Sequence, residues 1–136
     1  MSQPPPDQSS KDDLLNAFAI TLVKEYRLFL LGKARPREET SRLFGCSPFA
    51  TNLSKCNFAL KKMRERGEAI PDENVCASAR HHFFLCAGSI LCPHESERYL
   101  KCVSSKGATS AGEAAQFCPY EHRDFYNCFE TLLEKL

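Results

Sequence analysis

Thiol chemistry is the first chemistry that this sequence offers, because its eight cysteines fall into four pairs of identical spacing. Nine residues separate the members of each pair, which are Cys46 and Cys56, Cys76 and Cys86, Cys92 and Cys102, and Cys118 and Cys128. A cysteine can ligate a metal, take part in redox exchange or form a structural disulfide. A repeat this regular requires an explanation in which all four pairs do the same thing.

On a helix, a step of ten residues places the second cysteine on the same broad face as the first and about 15 Å further along the axis. Two thiols so far apart cannot bond to each other, nor can they share a tetrahedral metal, whose sulfur ligands lie about 2.3 Å from the ion. Each cysteine is therefore expected to bond to a cysteine of another helix. Two antiparallel helices joined in this way form a hairpin with two disulfides, and four pairs predict two such hairpins.

The residue seven positions after each first cysteine is large and apolar in all four brackets: Leu53, Phe83, Tyr99 and Phe125. Offsets of 0, 7 and 10 lie on one stripe of a helix, so these side chains are expected to fill the hairpin core between the disulfides. Three brackets have a proline one or two residues after the first cysteine, at Pro48, Pro93 and Pro119. Proline is tolerated in the first helical turn, so these helices are expected to begin beside the cysteine.

Two pairings of the helices are compatible with the spacing. Sequential pairing predicts the disulfides Cys46–Cys86, Cys56–Cys76, Cys92–Cys128 and Cys102–Cys118. The rival pairing joins the middle brackets through Cys76–Cys102 and Cys86–Cys92, with residues 87–91 as a tight turn. Sequential pairing is favoured because it leaves no outer helices to be joined over a long detour. The sequence alone does not fix the connectivity.

The predicted fold class is all-α, with two disulfide-stapled antiparallel helical hairpins preceded by a long N-terminal helix. The predicted segments are a flexible N-terminus (1–10), an amphipathic helix (11–32), a charged linker (33–45), the hairpins (46–86 and 92–128) and a short helical tail (129–136). The four bracket helices are expected at 47–66, 73–87, 92–104 and 117–135, with a chain break at 87–89 (Ala-Gly-Ser) and a loop over 104–112. Asp72 is the expected cap of the second, and Gly67 is expected to end the first.

The N-terminal helix carries an apolar stripe made of Leu15, Phe18, Leu22, Tyr26, Phe29 and Leu30. Polar and charged residues interrupt it too often for a membrane span. Docking onto a partner protein is the favoured use of this stripe, because two stapled hairpins offer little spare core. Packing on its own chain and lying on a membrane surface are the alternatives.

Composition and motifs narrow the functional class. The chain is 26% charged with a net charge of +1, which gives no general case for nucleic-acid binding. The basic stretch 61–66 is interpreted as a solvated helix end, with an anionic partner or lipid as the alternative. The histidines, which are interpreted as surface or interhelix residues, are His81, His82, His94 and His122. No phosphate-binding, zinc-protease or serine-hydrolase motif occurs, so no enzyme activity, metal or cofactor is expected.

The brackets, such as CSPFATNLSKC at 46–56, resemble the CX9C motifs of the coiled-coil-helix-coiled-coil-helix (CHCH) family. The resemblance implies oxidation in the mitochondrial intermembrane space by a transiently bound import oxidoreductase. That enzyme recognises a cysteine beside an apolar helical face, the position of Leu53, Phe83, Tyr99 and Phe125. We recognise neither a secretory signal nor an arginine-rich transit peptide at the N-terminus, in agreement with that route.

Four brackets in one chain are similar to the double-CHCH accessory subunits of respiratory complex I. This resemblance implies a non-catalytic structural subunit on the intermembrane-space face of the inner membrane, bound to other subunits. Peripheral contact with lipid is expected only in the alternative in which the N-terminal stripe lies on a membrane surface. A subunit of another complex (cytochrome c oxidase or the mitoribosome) and an assembly factor are the alternatives. A redox or copper-binding factor would need a cysteine pair outside the four brackets, and none is left.

Overall fold

The computed structural model describes residues 6–33, 35, 37–69 and 76–135, with the backbone alone for 6–12 and 111. These ranges contain a 3₁₀ helix at Phe44–Cys46 and seven α-helices: α1 (Pro6–Leu30), α2 (Glu38–Ser41), α3 (Ser47–Glu65), α4 (Ala77–Leu91), α5 (Pro93–Lys106), α6 (Ala111–Phe117) and α7 (Pro119–Glu134). They contain no strand, so the predicted all-α class is confirmed. The chain divides into two compact units, Met1–Phe84 and Leu85–Leu136.

In the first unit, α1 begins earlier than the predicted residue 11 and ends close to the predicted position. Gly32 has φ +67°, a left-handed conformation that glycine adopts without steric cost. Its N–H donates to the Phe29 carbonyl at 3.0 Å, and the Lys33 N–H donates to the Leu28 carbonyl at 3.0 Å. These bonds satisfy carbonyl groups that the helix end would otherwise leave unpaired.

The segment predicted as a charged linker contains α2 and the 3₁₀ helix, and it packs against α1. Leu43 and Thr40 are fully buried. The Phe44 ring lies 5.3 Å from the Tyr26 ring and 5.4 Å from the Phe29 ring, measured between centroids. The sequence predicted a linker here because the segment is rich in charged residues. The four-residue helix α2 is too short to show a helical periodicity of apolar residues, so its packing was not predicted.

The first bracket helix, α3, begins directly after Cys46 with Pro48 in its first turn, as predicted. Gly67 follows its last turn with φ +72°, the conformation expected of a glycine that ends a helix. α3 packs along α1 and buries Ala50 and Leu53. The Asp72 cap lies in 70–75, outside the described residues.

The second bracket helix, α4, continues through the joint that was predicted to break it. The predicted helix was 73–87 with a break at 87–89, whereas α4 runs without interruption from Ala77 to Leu91. α5 starts at Pro93 with Cys92 as its N-terminal flanking residue. The Ala-Gly-Ser sequence at 87–89 suggested a breaker, but a buried glycine also allows a second helix to approach closely.

The second unit is built on α5 and α7, which pack against each other. The short helix α6 connects them in the sequence and contacts both. α5 ends at Gly107, whose φ is +67°. The stretch predicted as a loop to residue 112 contains the start of α6, where the Ser110 hydroxyl accepts the Glu113 N–H at 3.1 Å. α7 begins at Pro119, and Phe125, Phe129 and Leu133 form its buried face. The predicted helix 117–135 corresponds to α7, which begins two residues later, and Phe117 is the last residue of the separate helix α6.

Candidate functional site

Disulfides join the bracket helices in the sequential arrangement. In the second unit, Cys92–Cys128 and Cys102–Cys118 connect α5 to the antiparallel α7, with Cα atoms 6.3 Å and 6.2 Å apart. In the first unit, Cys56–Cys76 joins α3 to the start of α4, with a Cα separation of 5.8 Å. Each of these bridges connects two helices, as in a stapled hairpin.

The remaining cysteines, Cys46 and Cys86, are disulfide-bonded as well. All eight cysteines lie in the described residues and none of them is free. The rival pairing required Cys76 to bond Cys102, but each of these has a different partner. No thiol is left for redox exchange or for metal binding while the chain is oxidised.

The four bracket residues lie in the interior. Leu53, Phe83 and Phe125 are fully buried and Tyr99 is 1% exposed. In the second unit, the Tyr99 and Phe125 rings face each other from α5 and α7 with centroids 5.4 Å apart. In the first unit, Phe83 stacks on Phe18 of α1 at 6.0 Å. In the second unit, large apolar side chains therefore meet between the two disulfides that join α5 and α7, whereas Phe83 of the first unit packs on α1.

The Tyr99 hydroxyl is a buried polar group inside this core. It has no hydrogen-bond partner among the described residues. Burial disfavours the ionised form and raises the pKa of Tyr99. The His122 ring lies 5.9 Å from the Tyr99 ring, between centroids. The Tyr99 ring is thus a packing residue of this core, in contact with the rings of Phe125 and His122.

Two clusters in the second unit have ligand types that could suggest a metal. Each consists of two cysteines and a glutamate with ligand atoms within 4.8 Å of one another, namely Cys92, Glu95 and Cys128, and Cys102, Cys118 and Glu121. Within each cluster, the two cysteine sulfur atoms are already bonded to each other as a disulfide. A metal requires the thiolate form, so neither cluster offers it a cysteine ligand in this state.

The N-terminal helix stripe is divided between two environments, which corrects the expectation that all of it faces a partner. Leu15, Phe18 and Leu22 are 3%, 7% and 0% exposed and pack within their own unit. They are not available for docking. Packing of this helix on its own chain was the alternative to partner docking. The argument that the stapled hairpins offer little spare core for it was wrong, because α3 and Phe83 supply an apolar surface for α1.

The end of the same stripe remains accessible. Tyr26 is half-buried against Phe44. Phe29 is 46% exposed and Leu30 is 64% exposed. Only this end of the predicted docking stripe can contact another molecule without unfolding the first unit.

A groove of about 460 Å³ runs between α1 and α3 and forms a second accessible surface. Its lining consists of Ile20, Val23, Arg27, Thr51, Ser54, Lys55, Asn57, Phe58 and Lys61. Phe58 is 61% exposed and Ile20 is 45% exposed, so two large apolar side chains, one from each helix, face solvent in the same groove. The Lys62 ammonium lies 5.3 Å from the centroid of the Phe58 ring.

Charge and hydrogen bonding distinguish this groove from an ordinary surface. The three charged residues that line it, Arg27, Lys55 and Lys61, are all basic. The Ser54 hydroxyl in its wall is buried and has no hydrogen-bond partner in the described part of the chain. The sequence interpretation missed this surface, although Phe58 on an otherwise polar face of α3, one turn before Lys61 and Lys62, was a usable sign of it.

The histidines are divided between the two units. His81 and His82 lie in α4 of the first unit, whereas His94 and His122 lie in α5 and α7 of the second. Burial, followed by the charge of neighbouring His82, lowers the pKa of His81. Among the helices described, none has the length and apolar character required to cross a membrane.

Comparison with known proteins returned no match to this chain among protein-family models, curated proteins or solved structures.

Proposed function

We propose that the chain is a CHCH-family protein that acts as a non-catalytic structural accessory subunit on the intermembrane-space face of mitochondrial respiratory complex I. The observation that carries this proposal is the oxidation of four identically spaced cysteine pairs into helical disulfide hairpins. Structural disulfides persist in oxidising compartments. The CX9C spacing favours the intermembrane space over the secretory route.

The buried bracket residues support this route of import. Leu53, Phe83, Tyr99 and Phe125 are inaccessible in the folded chain, so an import oxidoreductase would have to bind them before the hairpins close. The same side chains then form the core. An assembly factor with redox or copper chemistry is less well supported, because it would need a reactive thiol and the eight cysteines are all bonded.

The groove between α1 and α3 supports a role in binding a partner subunit. Its apolar side chains and basic rim fit an amphipathic helix that carries acidic residues beside its apolar stripe. Such a helix would cover Phe58 and would pair its carboxylates with Lys55 and Lys61. A helix-in-groove contact of this kind would fix the protein on the complex without any chemical step.

Native complexes from mild detergent test the proposal directly. We expect the chain to co-migrate with complex I, to resist protease in intact mitochondria, and to become accessible when the outer membrane is opened. Co-migration with cytochrome c oxidase or with the mitoribosome would replace complex I as the host. A chain found as a free monomer, or one with free thiols in native protein, would contradict the structural role.

Phe58→Asp tests the groove, and Tyr120→Asp is its matched control. Both aromatic rings are more than half exposed, and each has a basic side chain over its face, Lys62 for Phe58 and Arg123 for Tyr120. We expect Phe58→Asp to release the chain from the complex at lower detergent or salt than the native sequence, because it places a carboxylate in the apolar floor. Tyr120→Asp is expected to leave retention unchanged, and equal behaviour of the two variants would exclude the groove.

A further inference from the structure

The C-terminal end of α1 exposes four consecutive apolar side chains. Leu28, Phe29, Leu30 and Leu31 are 41%, 46%, 64% and 60% exposed. The helical bond from the Leu31 N–H to the Arg27 carbonyl, 3.1 Å long, carries the helical course through this stretch. Contiguous exposed apolar surface of this kind marks a contact with another molecule or with a membrane.

These four residues, which we call the apolar tip, do not form a single face. Successive helical residues are about 100° apart, so four in a row point to all sides of the axis. A partner helix would cover one side of the tip and leave the others in water. Apart from the contact of Phe29 with Phe44, the tip is suited to an environment that surrounds it, such as the apolar layer just below lipid headgroups.

Basic residues are concentrated on both sides of the apolar tip. The stretch 24–37 contains five basic residues, Lys24, Arg27, Lys33, Arg35 and Arg37, and one acidic residue, Glu25, in a chain whose net charge is +1. Glu25 is paired with Arg37 at 3.0 Å. Arg27, Lys33 and Arg35 are exposed. Glu38 and Glu39 follow in the first turn of α2. The tip is thus bordered by cations that could bind lipid phosphates.

From these observations we propose that the apolar tip inserts into the surface of a bilayer that contains anionic lipid, with Arg27, Lys33 and Arg35 on the headgroup phosphates. Insertion of this kind reaches roughly 5–10 Å into the headgroup region and needs no membrane span. It is a binding activity beyond the proposed subunit role, and it does not depend on which complex hosts the chain.

Flotation of the full-length oxidised protein with vesicles tests the inference. We expect it to float with vesicles of phosphatidylcholine and phosphatidylglycerol, to float poorly with phosphatidylcholine alone, and to be released as salt is raised. Leu30→Glu/Leu31→Glu is expected to weaken binding by at least about tenfold. The control Leu100→Glu/Tyr120→Glu, which adds the same charge at exposed apolar positions of the second unit, is expected to bind like the native chain.

A single tryptophan can report which surface meets the lipid, because the native chain contains none. Leu31→Trp is expected to shift its emission to the blue with anionic vesicles and to be quenched by brominated lipid. Phe58→Trp, in the groove, is expected to show neither change. Helical circular dichroism of each variant verifies that it is folded.

Several results would overturn the inference. These are no flotation, equal binding to neutral vesicles, an unchanged Leu30→Glu/Leu31→Glu variant, or a lipid response from position 58 instead of 31. A chain that co-migrates with the complex and fails to float would exclude the membrane contact while leaving the proposed function intact. A chain that floats without joining any complex would do the reverse.

Discussion

Gly88 of α4 lies directly against the ring of Phe125 on α7. A Cβ atom placed on Gly88 would be 2.5 Å from Phe125 Cε1 and 2.6 Å from Cζ, closer than carbon atoms can approach without displacement. Phe125 is fully buried and its ring also contacts Tyr99, so it has little room to move. Because glycine has no side chain, α4 can remain helical through this position while α7 approaches it closely.

Gly88→Ala is therefore expected to destabilise the protein, although alanine is the better helix former. Alanine gains up to about 1 kcal/mol of helix propensity. Forcing a methyl group into a packed core costs about 1–3 kcal/mol. We expect a net loss of about 1–2 kcal/mol in the free energy of unfolding, measured by chemical denaturation.

Gly112→Ala is the matched control for this prediction. Gly112 is also helical, and the nearest atom to an added Cβ would be the Ser110 hydroxyl at 3.9 Å, an ordinary contact. We expect this variant to be as stable as the native chain or slightly more stable. If both glycine variants gained stability equally, the close approach of Phe125 to Gly88 would be wrong. Recovery of the lost stability in Gly88→Ala/Phe125→Leu would locate the clash in this pair.

The periodicity of the sequence predicted the fold class and the bracket core, but it could not identify contacts between distant segments. In each bracket, the two cysteines and the large apolar residue between them lie on one stripe of a single helix, so the pattern can be read from that bracket alone. Tyr99 is that residue in α5 and Phe125 is that residue in α7. The role of Gly88 depends on its contact with Phe125, which lies 37 positions later. Local sequence does not show that contact, so Gly88 was interpreted as a helix breaker. Tertiary contact overrides local propensity at such positions.

The accessible surfaces were the least predictable part of the candidate site. The apolar stripe of α1 has one pattern from Leu15 to Leu30, yet its beginning is buried and its end is exposed. Hydrophobicity reports the tendency of a residue to leave water and not which surface covers it. The groove was missed for a related reason, since its walls come from two helices that lie far apart in the sequence.

The two bridges of the second unit should differ in their contribution to stability. Cys92–Cys128 spans 36 residues and Cys102–Cys118 spans 16. On the loop-entropy model, the longer loop contributes about 4 kcal/mol and the shorter about 3 kcal/mol. Cys92→Ala/Cys128→Ala is thus expected to lower the unfolding free energy more than Cys102→Ala/Cys118→Ala. The comparison is matched, because each pair has one buried and one half-buried cysteine. The reverse order in denaturation would mean that the entropy of the unfolded chain does not govern the stabilisation by these bridges.

Tyr99→Phe is expected to stabilise the second unit by about 1 kcal/mol. The substitution keeps the ring that packs on Phe125 and removes a buried hydroxyl that has no partner in the described residues. Tyr120→Phe is the control. Tyr120 is 67% exposed, so removal of its hydroxyl is expected to leave the stability unchanged. A loss of stability in Tyr99→Phe, measured by thermal unfolding, would show that the hydroxyl is hydrogen-bonded in solution.

The stability of the first unit should fall as the pH is lowered through the range in which histidine titrates. Burial, followed by the charge of His82, lowers the pKa of His81 below its ordinary value of about 6.5. Below that pH the unfolded chain takes up a proton that the folded chain resists, so protonation favours unfolding. The contribution of His81 is therefore fully present above about pH 6.5 and is lost as the pH falls through the lower, folded-state pKa.

His81→Gln should flatten this pH dependence, because it removes the group whose two states differ. Denaturation curves recorded between about pH 7.5 and pH 5.5 compare the slopes. His94→Gln is the control, since it makes the same substitution at an exposed histidine at the start of α5, in the second unit. An identical pH dependence in the native chain and in His81→Gln would show that another group titrates. If stability instead increased on acidification and His81→Gln abolished the increase, a partner must raise the pKa of His81, and the burial argument would fail.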